Sequence, residues 1–493
     1  VPFRICSKSL EKSGWLGFTI GVWTKNIGEG MTGLTEIVAE FIVEKSLQDL
    51  PEQTVEKSKK VIADTFAVIL SGAASEVLEP LEKYLAQSGD IGTTPVLGTH
   101  RKASAEMSAL INGTFGHALD FDDVLSMMPA HPSAIIVAAL IADLEHQPLS
   151  GQEFIEAYAV GVEVGARIAQ GITVGHYGRG FHGTGTLGTF SALGALCKAY
   201  KLDVETIRHA FGIAASMASG IRRNFGTMTK PLHTGLASRN ALQAVRLAQA
   251  GFTAALDVLE AKAGFYAAFG VAASDPQVAI DAFSRPGILV EPGIALKKFA
   301  CCYACHRGMD GVLVLKAKHQ FSAQDVVRLV CRMPPGGMQV LTYPHPVTGL
   351  EGKFSLQYCL AAGVLDGDYS ISTFTDASVN RPEIQTLLPR VSAFEDESCR
   401  DLDDALYETR SSGSRGWVDV EIELSNGTKD VVRVNKAPGH PTRELTWMDI
   451  EHKFNDCAVQ AGLAAKPAAQ AFQILRELER CADVRQLVGV LHH

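Results

Sequence analysis

The chain has 493 residues, 46% of them hydrophobic, and a net charge of −9. That length exceeds one ordinary core and fits roughly two to four domains, while the apolar fraction excludes global disorder. The acidic balance argues against nucleic acid or an anionic membrane as the main partner, yet leaves room for a locally basic pocket that takes an anion.

In chain order, residues 1–30 come first and lack a clean periodic pattern. The apolar stretch Trp15–Trp23 loosely imitates a signal peptide but has no convincing small-residue cleavage site, and Glu11 and Glu29 fit a transit peptide poorly. This segment is read as an extension or a misassigned start and set aside. From Met31, the residues Leu34, Ile37, Val38, Phe41 and Ile42 form one apolar stripe at helical period. Pro51 opens a second helix reaching about Leu70, and further helices are expected over 104–119, from Pro132, and over 151–171, 186–200, 203–219 and 233–250. The longest strongly apolar run, Ala134–Ala142, is far short of the ~20 residues a membrane helix needs.

The pattern then changes. Residues 325–333 read as a strand stopped by Pro334, Pro335, Gly336 and Gly337. Val418, Val420, Ile422 and Leu424 alternate with acidic residues, and Asn426-Gly427 marks a hairpin into Val432 and Val434. Helix-like stretches lie at 353–364 and 382–388, a charged loop at 395–416, and helix resumes after 437. The expected architecture is therefore mostly α: a helical domain built from segments 31–293 and 437–493, interrupted by a smaller α+β domain over 294–436.

Four polar clusters stand out. His117, Asp120, Asp122 and Asp123, followed by His131-Pro132-Ser133, join one helix to the next. Aspartates there can be plain helix caps, but a histidine at a helix N-terminus can also move a proton while the helix end attracts a carboxylate. The carboxylate spacing is not that of a calcium loop. In the second cluster, Gly180-Phe181-His182-Gly183 leads into a Gly- and Thr-rich helix with Tyr177 just upstream. It matches neither a dinucleotide fingerprint nor a phosphate loop. The third, Thr229-Lys230-Pro231-Leu232-His233, puts a lysine at a helix mouth near Arg222 and Arg223. In the fourth, Lys297-Lys298 precedes Cys301, Cys302, Cys305 and His306. The CxxCH string lacks the export signal haem attachment requires, and zinc lacks a second ligand pair at suitable spacing. No metal or other cofactor is expected. The ten cysteines, scattered except for Cys301, Cys302 and Cys305, fit free thiols in a reducing, cytoplasmic setting.

Taken in order, Asp120-Phe-Asp122-Asp123 with His131-Pro-Ser, Gly180-Phe-His182, Thr229-Lys230-Pro-Leu-His233 and Lys297-Lys298-Phe resemble the MmgE/PrpD family. That family includes 2-methylcitrate dehydratase, cis-aconitate decarboxylase and iminodisuccinate epimerase. The resemblance implies a helical domain of two chain segments with an α+β lid, a homodimer, and a decarboxylase-like pocket at Asp120, His131, His182, Lys230 and Lys297. Two hydroxyls of that pocket are missing. A threonine position holds Val124, and a lid tyrosine falls near Met338 or Gln339, with none until Tyr343.

The chemistry so implied is cofactor-independent proton transfer next to a carboxylate of a small di- or tricarboxylic acid. Lys230 and Lys297 hold carboxylates, His131 or His182 moves the proton, and Asp120 orients and charges a histidine. Tyr177 is a candidate second acid/base group, and Lys298, Asp123 and His233 are candidate substrate contacts. The outcome is a lyase, either dehydratase or decarboxylase. An epimerase or racemase is the alternative, and a binding protein without catalysis the rival from another class.

Overall fold

The structure is a computed structural model and describes residues 33–400 and 415–492. The extension expected over 1–30 and most of the loop expected over 395–416 lie outside the described residues.

Helices α1 (Leu34–Glu44), α2 (Thr54–Gly72) and α3 (Leu78–Ser88) open the body. After a two-residue ladder pairing Thr94–Pro95 with Lys102–Ala103, Ser104 caps α4 (Ala105–Ala118) by accepting from the Met107 amide. Helix α5 (Pro132–Ala142) is buried at all 11 residues. A helix apolar on every side is stable only with neighbours all round. Proline occupies its first turn, where the missing donor is not needed. A Ser150–Glu153 capping box starts α6 (Gly151–Ile172), and α7 (Gly183–Ala199), α8 (Val204–Met217), α9 (Thr229–Gln249) and α10 (Pro276–Phe283) follow.

Within this body α4 packs on α9, and α7 packs on α5, α6 and α9. Small residues set how close the helices come. A β-carbon at Gly235 would lie 2.0 Å from the Leu110 carbonyl oxygen, so α4 and α9 meet backbone to backbone. That contact matters for function, because the end of α4 carries His117 and the start of α9 carries Lys230.

The α+β portion contains α11 (His306–His319), β1 (Val326–Met333), α12 (Leu356–Asp366), β2 (Val391–Glu395), β3 (Val418–Leu424) and β4 (Lys429–Val434). Its sheet runs β2-β1-β3-β4. The β1–β2 pair is parallel, with Leu329 opposite Val391, and the other two pairs are antiparallel. Val418, Val420, Ile422 and Leu424 are buried, as their alternation predicts, and α11 packs on β3 and β4. Gly427 makes the hairpin turn at φ +87°. The chain then returns to the helical body with α13 (Trp447–Gln460) and α14 (Ala465–Arg476), and α13 lies on α2 with Ile450 and Phe454 buried.

The fold is mostly α with an α+β portion, as expected. Two helices begin earlier than periodicity indicates, α7 at Gly183 instead of 186 and α9 at Thr229 instead of 233. Their first turns carry glycine, threonine, lysine and proline, so no apolar stripe announces them. Among the described residues no helix is long and apolar enough to cross a membrane.

Candidate active site

Helix α4 ends at Ala118, and the chain turns sharply at Asp120, whose φ of +51° is left-handed. Aspartate tolerates that conformation better than most residues. The segment after it is tied to the chain before Lys297 by two backbone bonds. The Val124 amide donates to Ala295 O at 2.8 Å, and the Ala295 amide donates back at 3.0 Å. Lys297 therefore faces Asp120. Its ammonium donates to Asp120 O at 2.9 Å and contacts Oδ1 of the same residue.

Lys230, from the first turn of α9, lies 3.1 Å from that same Oδ1 and donates to His117 Nε2 at 2.8 Å. His117 in turn directs Nδ1–H to the Asp122 carboxylate at 2.8 Å. The result is one buried chain of polar contacts: Asp122, His117, Lys230, Asp120, Lys297. Phe225 and Phe354 place ring faces 5.2 Å from the Lys230 ammonium.

Burial alone would raise the Asp120 carboxyl, but Lys230 and Lys297 overcome it and hold Asp120 well below the usual carboxylate range. Asp122 is likewise driven down against burial by His117, His131 and Lys297. Burial lowers His131, and the Lys297 charge adds to it. His182 is lowered by burial, then by Lys230 and the neighbouring imidazoles. Both histidines are thus neutral at neutral pH. His131 Nδ1 donates to the Asp123 carbonyl at 2.6 Å, which leaves the Nε2 lone pair as its basic atom.

Asp120, His131, Tyr177, His182 and Lys230 line a single pocket. His131 and His182 have ring centroids 6.5 Å apart, so both reach one small ligand. His131 and His182 each stand at a helix mouth, as N-caps of α5 and α7, where free backbone amides favour an anion. Tyr177 sits under Arg222, whose guanidinium carbon is 4.3 Å from its ring centre. The opposite wall comes from Cys302, Tyr303, Val340 and Phe354, and Val124 closes one side. The methyl groups of Val124 and Val340 thus stand near where the resemblance implied hydroxyls. Tyr343 donates instead to the Phe225 carbonyl at 3.0 Å. Tyr303, of this same wall, is 5% exposed, and its buried OH has no hydrogen-bond partner.

Lys297 is fully buried behind Asp120. Three other expected contacts stand away from the pocket. Lys298 is exposed, while Lys297 and Phe299 on either side of it are buried. Asp123 turns inward to the start of α5, accepting the Ser133 amide at 3.3 Å and lying 2.6 Å from Ser133 Oγ. Burial and the Asp122 charge push its carboxyl up to about 8. His233 is not among the pocket-lining residues and meets His182, with the two Nδ1 atoms 2.9 Å apart.

Other residues belong to the site although spacing did not single them out. His117 and Asp122 were visible in the first cluster, but not their link to Lys230. Lys453, from α13, donates to Phe121 O at 2.8 Å and Lys297 O at 2.9 Å, and pairs with buried Asp64 at 2.7 Å. Lys353 is a further buried cation, donating to Ala118 O at the end of α4 at 3.3 Å. His117, Asp120, Asp122 and His131 also cluster closely enough to hold a metal ion. The ammonium groups of Lys230 and Lys297 already engage His117 Nε2 and Asp120 Oδ1, the lone pairs such an ion would need.

The sequence pattern of the MmgE/PrpD N-terminal domain matches residues 36–276, and that of the MmgE/PrpD C-terminal domain matches residues 299–479. Cis-aconitate decarboxylase of Homo sapiens is 27% identical over 474 residues, spanning 94% of this chain and 95% of the relative. The Mus musculus protein of that name is 27% identical over 480 residues, with 94% of each chain covered. The Aspergillus terreus one is 25% identical over 486 residues, covering 94% of this chain and 96% of its own.

Proposed function

The chain belongs to the MmgE/PrpD family, and on that footing we propose that it is a lyase that decarboxylates a small unsaturated polycarboxylate through proton transfer by a pocket histidine. The observation that carries this reading is the meeting of two lysines on Asp120 beneath His131 and His182.

In the proposed reaction the substrate's retained carboxylates lie against Lys230 and the amides at the mouths of α5 and α7. The leaving carboxylate faces apolar side chains, where poor solvation of its charge favours departure as CO₂. As that carbon–carbon bond breaks, its electron pair enters the adjacent unsaturated system, whose developing charge is stabilised by the lysine. One proton from His131 or His182 closes the new carbon–hydrogen bond. The histidines are neutral in the free pocket, and bound carboxylates supply the negative charge that makes one of them protonated. Val124 and Val340 among the lining residues favour a substrate with an apolar segment on that side.

Incubation with cis-aconitate, citrate, 2-methylcitrate and iminodisuccinate in deuterated water tests this. CO₂ release with one deuterium in the product supports it. Water loss alone makes the protein a dehydratase, and label exchange with inversion but no CO₂ makes it an isomerase; either outcome overturns the proposal, as does inertness to all four. The family reading extends to a homodimer, which a monomeric mass in light scattering would remove.

A further inference from the structure

Outside the catalytic pocket, three thiols meet in the α+β portion. Cys301 and Cys305 lie in the segment just before α11, and Cys359 comes from α12, over fifty positions later in sequence. All three are fully buried, and their sulfur atoms lie within 4.8 Å of one another. The Met309 thioether adds a fourth sulfur, 3.4 Å from Cys301 Sγ. A buried cysteine alone behaves as a small hydrophobe, and the remaining described thiols form no such group. Convergence from two separate segments is what calls for an explanation.

We propose that Cys301, Cys305 and Cys359 bind one thiophilic d¹⁰ metal ion, Zn²⁺ or Cu⁺. A metal–sulfur bond of about 2.3 Å puts tetrahedral ligands about 3.8 Å apart, so a contraction of about 1 Å closes the group. For four-coordinate zinc, His306, next after Cys305 in sequence, would have to swing in as the fourth ligand. His306 is fully buried, its Nε2 donates to the Cys301 carbonyl at 3.3 Å, and its Nδ1 has no partner. A backbone carbonyl on the far nitrogen is the usual way a ligating imidazole is oriented. Three thiolates around a dication leave one negative charge. Lys353, whose backbone carbonyl accepts from the Cys302 amide at 3.0 Å, is the buried cation nearest in the chain packing, although its ammonium donates to Ala118 O at 3.3 Å.

The ion has a role in the pocket. Cys302, Tyr303 and Ala304 lie between two of its ligands and form the pocket wall. Fixing Cys301 and Cys305 to α12 therefore fixes the loop that presents Tyr303. Spacing alone hid the site, since Cys359 is far from the other two in sequence.

The full-length protein, kept reduced and free of chelator, is loaded separately with zinc and with Cu⁺ under argon, desalted, and assayed for metal by plasma mass spectrometry. The expected result is one ion per chain, the retained element showing which ion it is. That ion is lost in Cys359→Ser and Cys301→Ala but kept in Cys457→Ser, whose thiol is buried elsewhere. Because a ligand substitution can unfold the region, Co²⁺ loading of the unaltered protein gives a second reading, sulfur-to-cobalt charge-transfer absorption in the near ultraviolet. Unaltered protein that retains neither metal and shows no such band overturns the proposal. So does full retention by Cys359→Ser, or a disulfide among these thiols in freshly isolated protein.

Discussion

At Asp120 two ammonium groups meet one carboxylate oxygen, while Oδ2 is buried without a hydrogen-bond partner. Lys230 and Lys297 balance Asp120 and Asp122, and the histidines around them are neutral, so the one buried cation left over among the described residues around them is Lys353, too little charge for a di- or tricarboxylate. A polycarboxylate entering it must draw in a proton. Calorimetry with the saturated tricarboxylate propane-1,2,3-tricarboxylate, in two buffers of different ionisation enthalpy, should show proton uptake; a buffer-independent heat rejects it. His131→Ala should lower kcat by roughly 10²–10⁴ if its Nε2 carries that proton, and should abolish the uptake as well. Asp123 serves stability instead. Its folded carboxyl titrates at about 8 against an ordinary 3.8, so the fold holds a proton that the unfolded chain releases. Stability contributed there is complete in acid and is lost as pH rises through about 8. Asp123→Asn should flatten the fall in unfolding midpoint between about pH 4 and about pH 8, and an unchanged slope would remove the assignment. The identities Asp120, His131, His182 and Lys230 were legible as motif residues. The inward turn of Asp123 and the outward turn of Lys298 depend on φ/ψ, which no motif spacing records.

Elements were legible where one face is wet and one dry. Strand β3 alternates four buried apolar residues with acidic ones, and the helix α1 stripe meets the core at Leu34, Val38, Phe41 and Ile42. Strand β2 had no such signature, because it lies at the sheet edge with most of its residues exposed and pairs in parallel with β1. The first turns of α7 and α9 were hidden for the opposite reason. They face a polar pocket, so function replaced the periodic pattern by which a helix is recognised. The close approach of α4 and α9 leaves a clearer trace, since Gly113 and Gly235 lie against each other with no room for a side chain. Gly235→Ala should destabilise by about 1–3 kcal/mol through overpacking, and should also lower activity by parting His117 from Lys230. Denaturant unfolding beside kcat reads both, and an unchanged midpoint would mean that the helices separate without cost.

Over the whole molecule, the pocket is finished by a residue more than three hundred positions from its first cluster. Lys453 reaches from α13 to the carbonyls of Phe121 and Lys297, and its charge is met by Asp64 on α2. The last helical segment therefore sets the backbone on both sides of Asp120, which gives a physical reason for the chain to return to the helical body after its sheet. Periodicity placed Ile450 and Phe454 in that helix, but nothing in the sequence marks Lys453 apart from a surface lysine. Removing one partner of a buried pair typically costs about 3–5 kcal/mol, because it strands the other charge. Lys453→Met should therefore destabilise strongly, and Asp64→Leu in addition should recover most of that loss. Activity should not recover in the double variant, since the two carbonyls still lack their donor and Lys297 is no longer held against Asp120. Denaturant midpoints and kcat on the three proteins separate the roles. Full kcat in the stable double variant would show that Lys453 serves the fold alone; low kcat with restored stability places it as a positioning residue for the pocket.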